Sequence, residues 1–168
     1  SMETLLGKWQ KSRNILNDLV IIAKGAHTPN CNPKSISSQL DESLDRLQCD
    51  SADIYIMHRD NTDIPVGEFI DVLNEENQKG RIKLFGASNW TLERFKEANH
   101  WSETSNKLGF SILNNNLALC KMIKPLWSGC ISSNDQNILK YLENTNIAHL
   151  SWSSQGRGYF LPDEITKK

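Results

Sequence analysis

The chain has 168 residues and a formal net charge of −1, which is enough length for one domain with a sizeable core. A charge so close to zero gives no basis for general binding to nucleic acid or to an acidic membrane surface. No apolar run approaches the roughly 20 residues that span a bilayer, and the opening SMETLLGKWQ lacks the apolar core of a signal peptide.

The four cysteines form neither a metal-binding pattern nor a disulfide framework. No CxxC pair occurs, and no histidine recurs at zinc-like spacing. A disulfide framework is not expected in a chain of this length. We therefore expect free thiols, no metal site and a cytoplasmic location. The cysteines are Cys31, Cys49, Cys120 and Cys130.

The first half of the chain alternates helical and strand patterns. Leu5, Leu6 and Trp9 predict an opening helix, and the apolar run in DLVIIAKGAH (18–27) predicts a buried strand. After a turn-rich loop, apolar residues spaced by four, four and three predict a helix that Ser37 or Ser38 could cap. These apolar residues are Ile36, Leu40, Leu44 and Leu47. The second strand is predicted in DIYIM (53–57).

The second half continues the same alternation. A helix is predicted to end near Gly80, and Thr91 can cap the helix after the third strand, RIKLFGAS (81–88). A fourth strand is predicted within GFSILNNNLAL (109–119), and IAHLSWSS (147–154) is predicted as the fifth strand. The helices are marked by Val66, Phe69, Ile70 and Leu73, by Leu92, Phe95 and Ala98, and by Ile138, Leu139 and Leu142.

This alternation predicts an α/β fold with a parallel sheet, because parallel strands need crossover connections, usually helices. An open doubly wound sheet and a (β/α)₈ barrel both satisfy the pattern. No GxGxxG follows a strand, and polar residues collect where strands end, which favours the barrel. These polar residues are Lys24, His58, Ser88, Asn89, Asn116, Ser153 and Ser154.

Two strand-end residues are candidates for proton chemistry. Lys24 is either a lysine that reaches into solvent or a buried cation that tunes a neighbouring acid, and the residues alone leave both open. A lone His58 is more often a hydrogen-bonded structural residue than a catalyst, but two such residues on adjacent strands favour function. For Ser88 and Asn89, helix capping competes with a hydrogen-bonding role at a site.

Several motifs together resemble the aldo-keto reductase family. They are IIAK, LDESLDRLQCDSADIYIMHRD, PVGEFIDVLNEENQKGRIKLFGASNWTLERFKEAN and LSWSSQGRGYF. They occur in family order and cover nearly the whole chain. The similarity is greatest to a bacterial subgroup with HRD, PVGE, SNW and WSSQxRGxF motifs.

The resemblance implies a TIM barrel that binds NADPH in extended form and reduces small aldehydes or ketones by hydride transfer. Family catalysis uses Asp, Tyr, Lys and His, of which Lys24 matches the lysine and His58 the histidine. The lysine cation lowers the pKa of the tyrosine, ordinarily about 10, so that it can protonate the carbonyl oxygen. The family's Tyr and Asp precede the opening helix, and Tyr55, in mid-strand, cannot replace the tyrosine.

The resemblance also implies a cofactor site. Ser88 and Asn89 match the pair that holds the nicotinamide carboxamide, and Asn116 stands where the family usually has glutamine. Trp152 matches the aromatic residue that stacks on the nicotinamide. Trp90 would be a rim residue near the substrate, or equally a packing residue. The remaining matches lie along the cofactor pyrophosphate: Ser153, Ser154, Gln155 and Arg157.

By this alignment, residues 1–168 form a single domain that contains about strands three to seven of the barrel. We expect a part of a longer enzyme, or a truncated barrel whose exposed edges lead to homo-oligomers or bind the missing barrel parts. The first function is NADPH-dependent carbonyl reduction by the longer protein. The alternative is a catalytically inactive chain that acts through self-assembly or partner binding.

Overall fold

The computed structural model describes residues 1–162, and its centre is one parallel sheet with the strand order β1-β2-β3-β4-β5. Each strand pairs in parallel with the next strand along the chain. The strands are β1 Ile22–Gly25, β2 Ala52–Met57, β3 Ile82–Ala87, β4 Ile112–Leu113 and β5 Ala148–His149. The last residues of the predicted domain, 163–168, lie outside the described part.

A helix precedes the first strand and one helix connects each pair of neighbouring strands. The helices are α1 Met2–Arg13, α2 Pro33–Leu47, α3 Val66–Gln78, α4 Leu92–Thr104 and α5 Gln136–Glu143, with short 3₁₀ turns at Leu16–Asp18 and Gly156–Gly158. The predicted α/β class is confirmed, and the strand order agrees with part of a (β/α)₈ barrel. No helix within residues 1–162 is long and apolar enough to cross a membrane.

The helix ends confirm two predictions and correct one. Thr91 caps α4, since its side chain accepts a hydrogen bond from Arg94 N at 3.2 Å. Gly80, at φ 73°, ends the turn after α3 as predicted. Neither Ser37 nor Ser38 caps α2, because the helix begins at Pro33 and both serines lie inside it. The cap is Asn32, and Pro fits the first helical position, where no N–H donor is needed.

Four of the five strands are shorter than the predicted segments, whereas β2 begins one residue earlier than predicted. Residues Leu16–Asp18 form a 3₁₀ turn, so β1 begins only at Ile22 of the predicted 18–27. In β4 only Ile112 and Leu113 are strand residues, and beyond them the pairing with the β5 segment continues only as an isolated bridge between Asn116 and Trp152. Apolar runs therefore indicate where a strand lies but not where it ends.

The two faces of the sheet differ in packing. On the helix side, the rings of Phe95 and Phe110 stack at 5.4 Å between centroids, and Phe85 contacts Phe110 edge to face at 6.1 Å. On the opposite face, Ile22, Ile54 and Leu84 lie in register, and Ile22 and Leu84 remain 46% and 49% exposed. This second face would be the interior of a barrel.

A network of charged side chains lies at the amino-terminal end of the sheet. Glu76 is fully buried and forms ion pairs with Arg81 and Lys79, while Ser37 Oγ donates to Glu76 Oε1 at 2.7 Å. Arg81 also pairs with Asp41 of α2. A buried carboxylate is tolerated only when it is paired and hydrogen-bonded, and this network satisfies that condition.

The substitution Glu76→Ala should lower the free energy of unfolding by about 3 kcal/mol, because it leaves the partly buried Arg81 without its inner partner. Glu97→Ala is the control, since the Arg94–Glu97 pair involves a carboxylate that is 57% exposed and should cost less than about 1 kcal/mol. Urea denaturation of both variants measures the difference. Equal losses would contradict the structural role of the Glu76 network.

Candidate functional site

The side chain of Lys24 crosses the exposed face of the sheet at the carboxyl ends of the strands. From β1, its Nζ donates to Asn114 Oδ1 after β4 at 2.8 Å and to Ser88 Oγ after β3 at 3.3 Å. Both acceptors are neutral. Burial, with the nearby Arg59 cation second, lowers the pKa of Lys24 to about 8. Lys24 is therefore a half-buried cation held by neutral oxygens, which rules out the alternative of a lysine free in solvent.

Ser88 and Asn89 form a tight turn that holds this end of the site together. Ser88 is fully buried, and its hydroxyl donates to Asn114 O at 2.6 Å. Asn89 has a left-handed backbone, φ 59°, which asparagine tolerates better than most residues. Its Nδ2 donates to Ser88 Oγ at 3.1 Å and to His58 O at 3.3 Å. Neither residue caps α4, so the capping alternative fails for both.

His58 follows β2 directly, and its environment keeps the ring neutral. Its backbone N donates to Gly25 O at 2.6 Å, and its ring meets the ring of His27 edge to face at 4.5 Å between centroids. Burial lowers the pKa of His58 to about 4, with further contributions from Lys24, His27 and Arg59. At neutral pH the ring can therefore give or accept a hydrogen bond without carrying charge.

Five of the predicted site residues meet around one cavity of about 260 Å³. They come from four different strand ends, as a barrel-type site requires. Three unpredicted residues complete its lining. The predicted residues are Lys24, His58, Asn89, Trp152 and Ser153, and the others are Arg59, Trp127 and Cys130.

Asn116 joins the ends of β4 and β5 beside this cavity. Its Nδ2 donates to Trp152 O at 3.0 Å, whereas its Oδ1 is buried and has no hydrogen-bond partner. It lines a neighbouring cavity of about 260 Å³ together with Ser153 and Arg157. A buried acceptor without a partner fits the amide group of a ligand such as a nicotinamide carboxamide. This acceptor is the observation by which the residues present fit the expected cofactor.

The predicted pyrophosphate loop reaches the site only in part. Ser154 and Gln155 are exposed and line neither of the two cavities in the described part of the chain. Arg157 has a left-handed backbone, φ 53°, and its guanidinium lies 4.9 Å from the centre of the Trp127 ring. This contact joins the loop after β5 to the loop after β4.

Trp90 does not lie at a substrate rim. It is fully buried, its ring contacts Phe69 and Phe110 at 6.0 and 5.0 Å between centroids, and its Nε1 donates to Arg59 O at 3.1 Å. Trp90 is therefore a packing residue, which was the second of the two roles that the sequence left open. The physical reason is the left-handed turn at Asn89, which directs the next side chain into the core between α3 and α4.

Sequence reasoning missed Asn114, Arg59, Trp127 and Cys130. Asn114 could have been predicted from the sequence, since it is the first of three asparagines directly after β4. Arg59 stands in the HRD motif directly after His58, and that position was a signal that could have found it. Trp127 and Cys130 lie in an irregular stretch without periodicity. Among residues 1–162, no group of three or more potential ligand side chains is placed to hold a metal ion.

Comparison with known proteins finds one matching family. The model of the "Aldo/keto reductase family" matches residues 1–167. "Aldo-keto reductase AFTS1" of Alternaria alternata is 26% identical over 134 residues, which are 79% of this chain and 34% of that protein. "NADH-specific methylglyoxal reductase" of Escherichia coli is 34% identical over 77 residues, 44% of this chain and 24% of that protein. The matched region is thus about a third or less of either relative.

A solved structure shows the same fold. The "putative 2,5-diketo-D-gluconic acid reductase B" superposes with a TM-score of 0.73 at 20% sequence identity. The superposition covers 94% of this chain and 50% of that structure. At this identity the likeness concerns the fold alone. The matched region corresponds to half of the neighbour's chain.

The lowered pKa of His58 predicts a loss of stability in acid. Between about pH 6.5 and pH 4 the unfolded chain binds a proton at this ring that the folded chain does not, so stability falls as pH falls through this window. His58→Gln should remove roughly 1–2 kcal/mol of the loss between pH 7 and 4.5, after discounting for the partial exposure of the ring.

Urea denaturation at both pH values measures this effect. His100→Gln, at an exposed position of α4, is the matched control and should retain the full acid sensitivity. If His58→Gln loses as much stability in acid as the unmodified chain, then the ring is not held neutral by its surroundings.

Proposed function

The chain belongs to the aldo/keto reductase family, and from this membership we propose that it supplies the proton-handling and nicotinamide-binding part of a carbonyl reductase. Membership supports an oxidoreductase activity. The proposed reaction is NADPH-dependent reduction of a small aldehyde or ketone to an alcohol. The observation that carries the proposal is the convergence of Lys24, His58, Asn89 and Trp152 on one cavity at the carboxyl ends of the strands.

Lys24 and His58 have complementary roles in this proposal. The carbonyl oxygen gains negative charge as it is reduced, and donors placed beforehand stabilise that charge. His58, neutral through burial, donates a hydrogen bond to the oxygen and orients it. The Lys24 cation favours ionisation of the group that delivers the proton, and so makes that group a stronger acid. In the family this group is a tyrosine, and Tyr55 is excluded because it is fully buried.

The cofactor would be held by the ends of three strands. When bound, NADPH supplies the hydride. Asn116 Oδ1 is free to accept a hydrogen bond from the carboxamide. Ser88 and Asn89 hydrogen-bond to each other and to neighbouring carbonyl groups, so they would contact the carboxamide only by exchanging one of these bonds. Trp152 offers its ring to the nicotinamide, and Ser153 and Arg157 lie toward the pyrophosphate.

A second candidate function is assembly without catalysis. Apolar side chains on the open face of the sheet, Ile22 and Leu84, are almost half exposed, and Val20 before β1 is 70% exposed. Burial of this face by another copy of the chain, or by further strands of the barrel, would remove apolar area from water. We therefore keep the proposal that the chain forms at least a dimer or joins other barrel segments, which sedimentation tests.

The free thiols of all four cysteines are compatible with the proposed cytoplasmic location.

The 168-residue chain should bind NADPH, and Asn116→Leu should weaken this binding about tenfold, because it removes the free amide acceptor at similar volume. Nucleotide fluorescence or calorimetry measures the dissociation constants. Asn144→Leu, at an exposed position after α5, is the control and should bind like the unmodified chain. Absence of NADPH binding by a folded sample would contradict the nicotinamide site.

In a form of the protein that turns over, Lys24→Met and His58→Gln should each lower kcat by about 100-fold or more, the usual contribution of acid–base groups. The dissociation constant of NADPH should change by less than about threefold, because neither side chain is assigned to cofactor binding. Steady-state kinetics and cofactor titration separate the two effects. A variant that keeps most of its turnover would overturn the catalytic assignment.

A further inference from the structure

Arg59 is a cation at the proposed site that lacks an acidic partner. It is half-buried directly after His58, and its Nη1 donates to Gly129 O at 3.0 Å. Its other contacts are to Cys130 Sγ, at 3.6 and 3.7 Å. Within residues 1–162, no carboxylate lies within ion-pair distance of Arg59.

The nearest acid in the sequence is committed elsewhere. Asp60 accepts two hydrogen bonds from Arg94, from Nε at 3.0 Å and from Nη2 at 3.1 Å. This two-point pair is the strong geometry for an arginine and a carboxylate, so Asp60 is not free to neutralise its neighbour. The other partly buried arginines of the described chain, Arg46 and Arg81, each have acidic partners. Arg59 differs from them in facing the proposed site.

The surroundings of Arg59 suit an anion with an apolar body. Arg59 lines the cavity of Lys24 and His58, and also an outer cavity of about 510 Å³ with His27 and Trp127. Among the described residues, no Asp or Glu lines either cavity. The Trp127 ring is 55% exposed and forms a wall common to both. Positive charge and an aromatic wall thus lie beside the residue proposed to orient the carbonyl.

The guanidinium retains donors for such a ligand. Arginine has five N–H donors in a planar fork, and the protein contacts of Arg59 involve only Nη1 and Nη2. Nε donates to no acceptor among residues 1–162. A carboxylate matches the spacing of adjacent guanidinium N–H groups and can accept two hydrogen bonds from them.

We propose that Arg59 is a specificity-determining residue that binds the carboxylate of an oxo-acid substrate. The substrate class is a carbonyl compound with a carboxylate at one end and an apolar or aromatic body that packs against Trp127. Its carbonyl group would then lie toward His58. This inference rests on the proposed reductase function and narrows it from carbonyl compounds in general to anionic ones.

A matched pair of probes tests the proposal, namely 4-formylbenzoate and its uncharged methyl ester. Both have the same ring and the same aldehyde, so they differ mainly in charge at the distal end. Calorimetry on the 168-residue chain, with and without NADP⁺, should show the carboxylate binding at least about tenfold more tightly than the ester. Arg59→Gln should reduce this preference to less than about twofold, while circular dichroism confirms that the variant is folded.

Two further variants make the result specific. Arg59→Lys keeps the charge but loses the planar fork, so it should retain an intermediate preference. Arg13→Gln, at an exposed position at the end of α1, should keep the full preference. Equal binding of the two probes by the unmodified chain, or a preference that persists in Arg59→Gln, would overturn the proposal.

Titration of NADPH on the same samples separates this inference from the proposed function. The proposal expects Arg59→Gln to bind NADPH as the unmodified chain does. A loss of NADPH affinity in that variant would mean that Arg59 binds a cofactor phosphate, which overturns the substrate assignment. If the unmodified chain prefers the carboxylate but binds no NADPH, the reductase proposal fails whereas the anion site at Arg59 is supported.

Discussion

The arrangement of the site depends on one interaction, the reach of a lysine ammonium group across the open face of the sheet to two neutral oxygens. Lys24 Nζ is bound by Asn114 and Ser88, and no carboxylate supports it in the described chain. Neutral partners satisfy the donors but leave the charge uncompensated, so the positive field extends into the cavity. The low pKa of His58 comes mainly from burial, and the nearby Lys24 cation lowers it further. The hydrogen-bonded turn at Ser88 and Asn89 supplies one of the two oxygens that hold Lys24.

The two ends of the sheet differ in whether their buried charges have partners of opposite charge. At the amino-terminal end, the buried Glu76 has its charge neutralised by Arg81 and Lys79, and the result is structural. At the carboxyl end, Lys24 and Arg59 lack acidic partners among the described residues. Unpaired charge in a partly buried position lowers stability, and folds accept that loss mainly at functional sites. The division agrees with the general rule for barrels, in which one face stabilises and the other reacts.

The sequence was sufficient for the fold class and for the meeting of several candidate residues at one edge of the sheet, since both depend on simple regularities. Apolar runs that alternate with helical spacing indicate parallel strands, and parallel strands bring their polar ends to one edge, which placed Lys24, His58 and Asn89 together. Other features depend on backbone direction, which apolar patterns do not specify. The left-handed turn at Asn89 buries Trp90, and the start of α2 at Pro33 makes Asn32 the cap. Trp127 enters the site from an irregular loop, where only the three-dimensional path of the chain brings it to Arg59.

The sequential strand order determines at which stage of folding the candidate site can form. Neighbouring strands are also neighbours along the chain, so successive βα units can be added through contacts of moderate sequence separation. The bonds of Lys24 are different, since they join residues 64 and 90 positions apart. The bond to Asn114 cannot form until β1 and the segment after β4 are both in the sheet, when the loop-closure entropy has already been lost. The candidate site is therefore completed late in folding, after most of the sheet has formed.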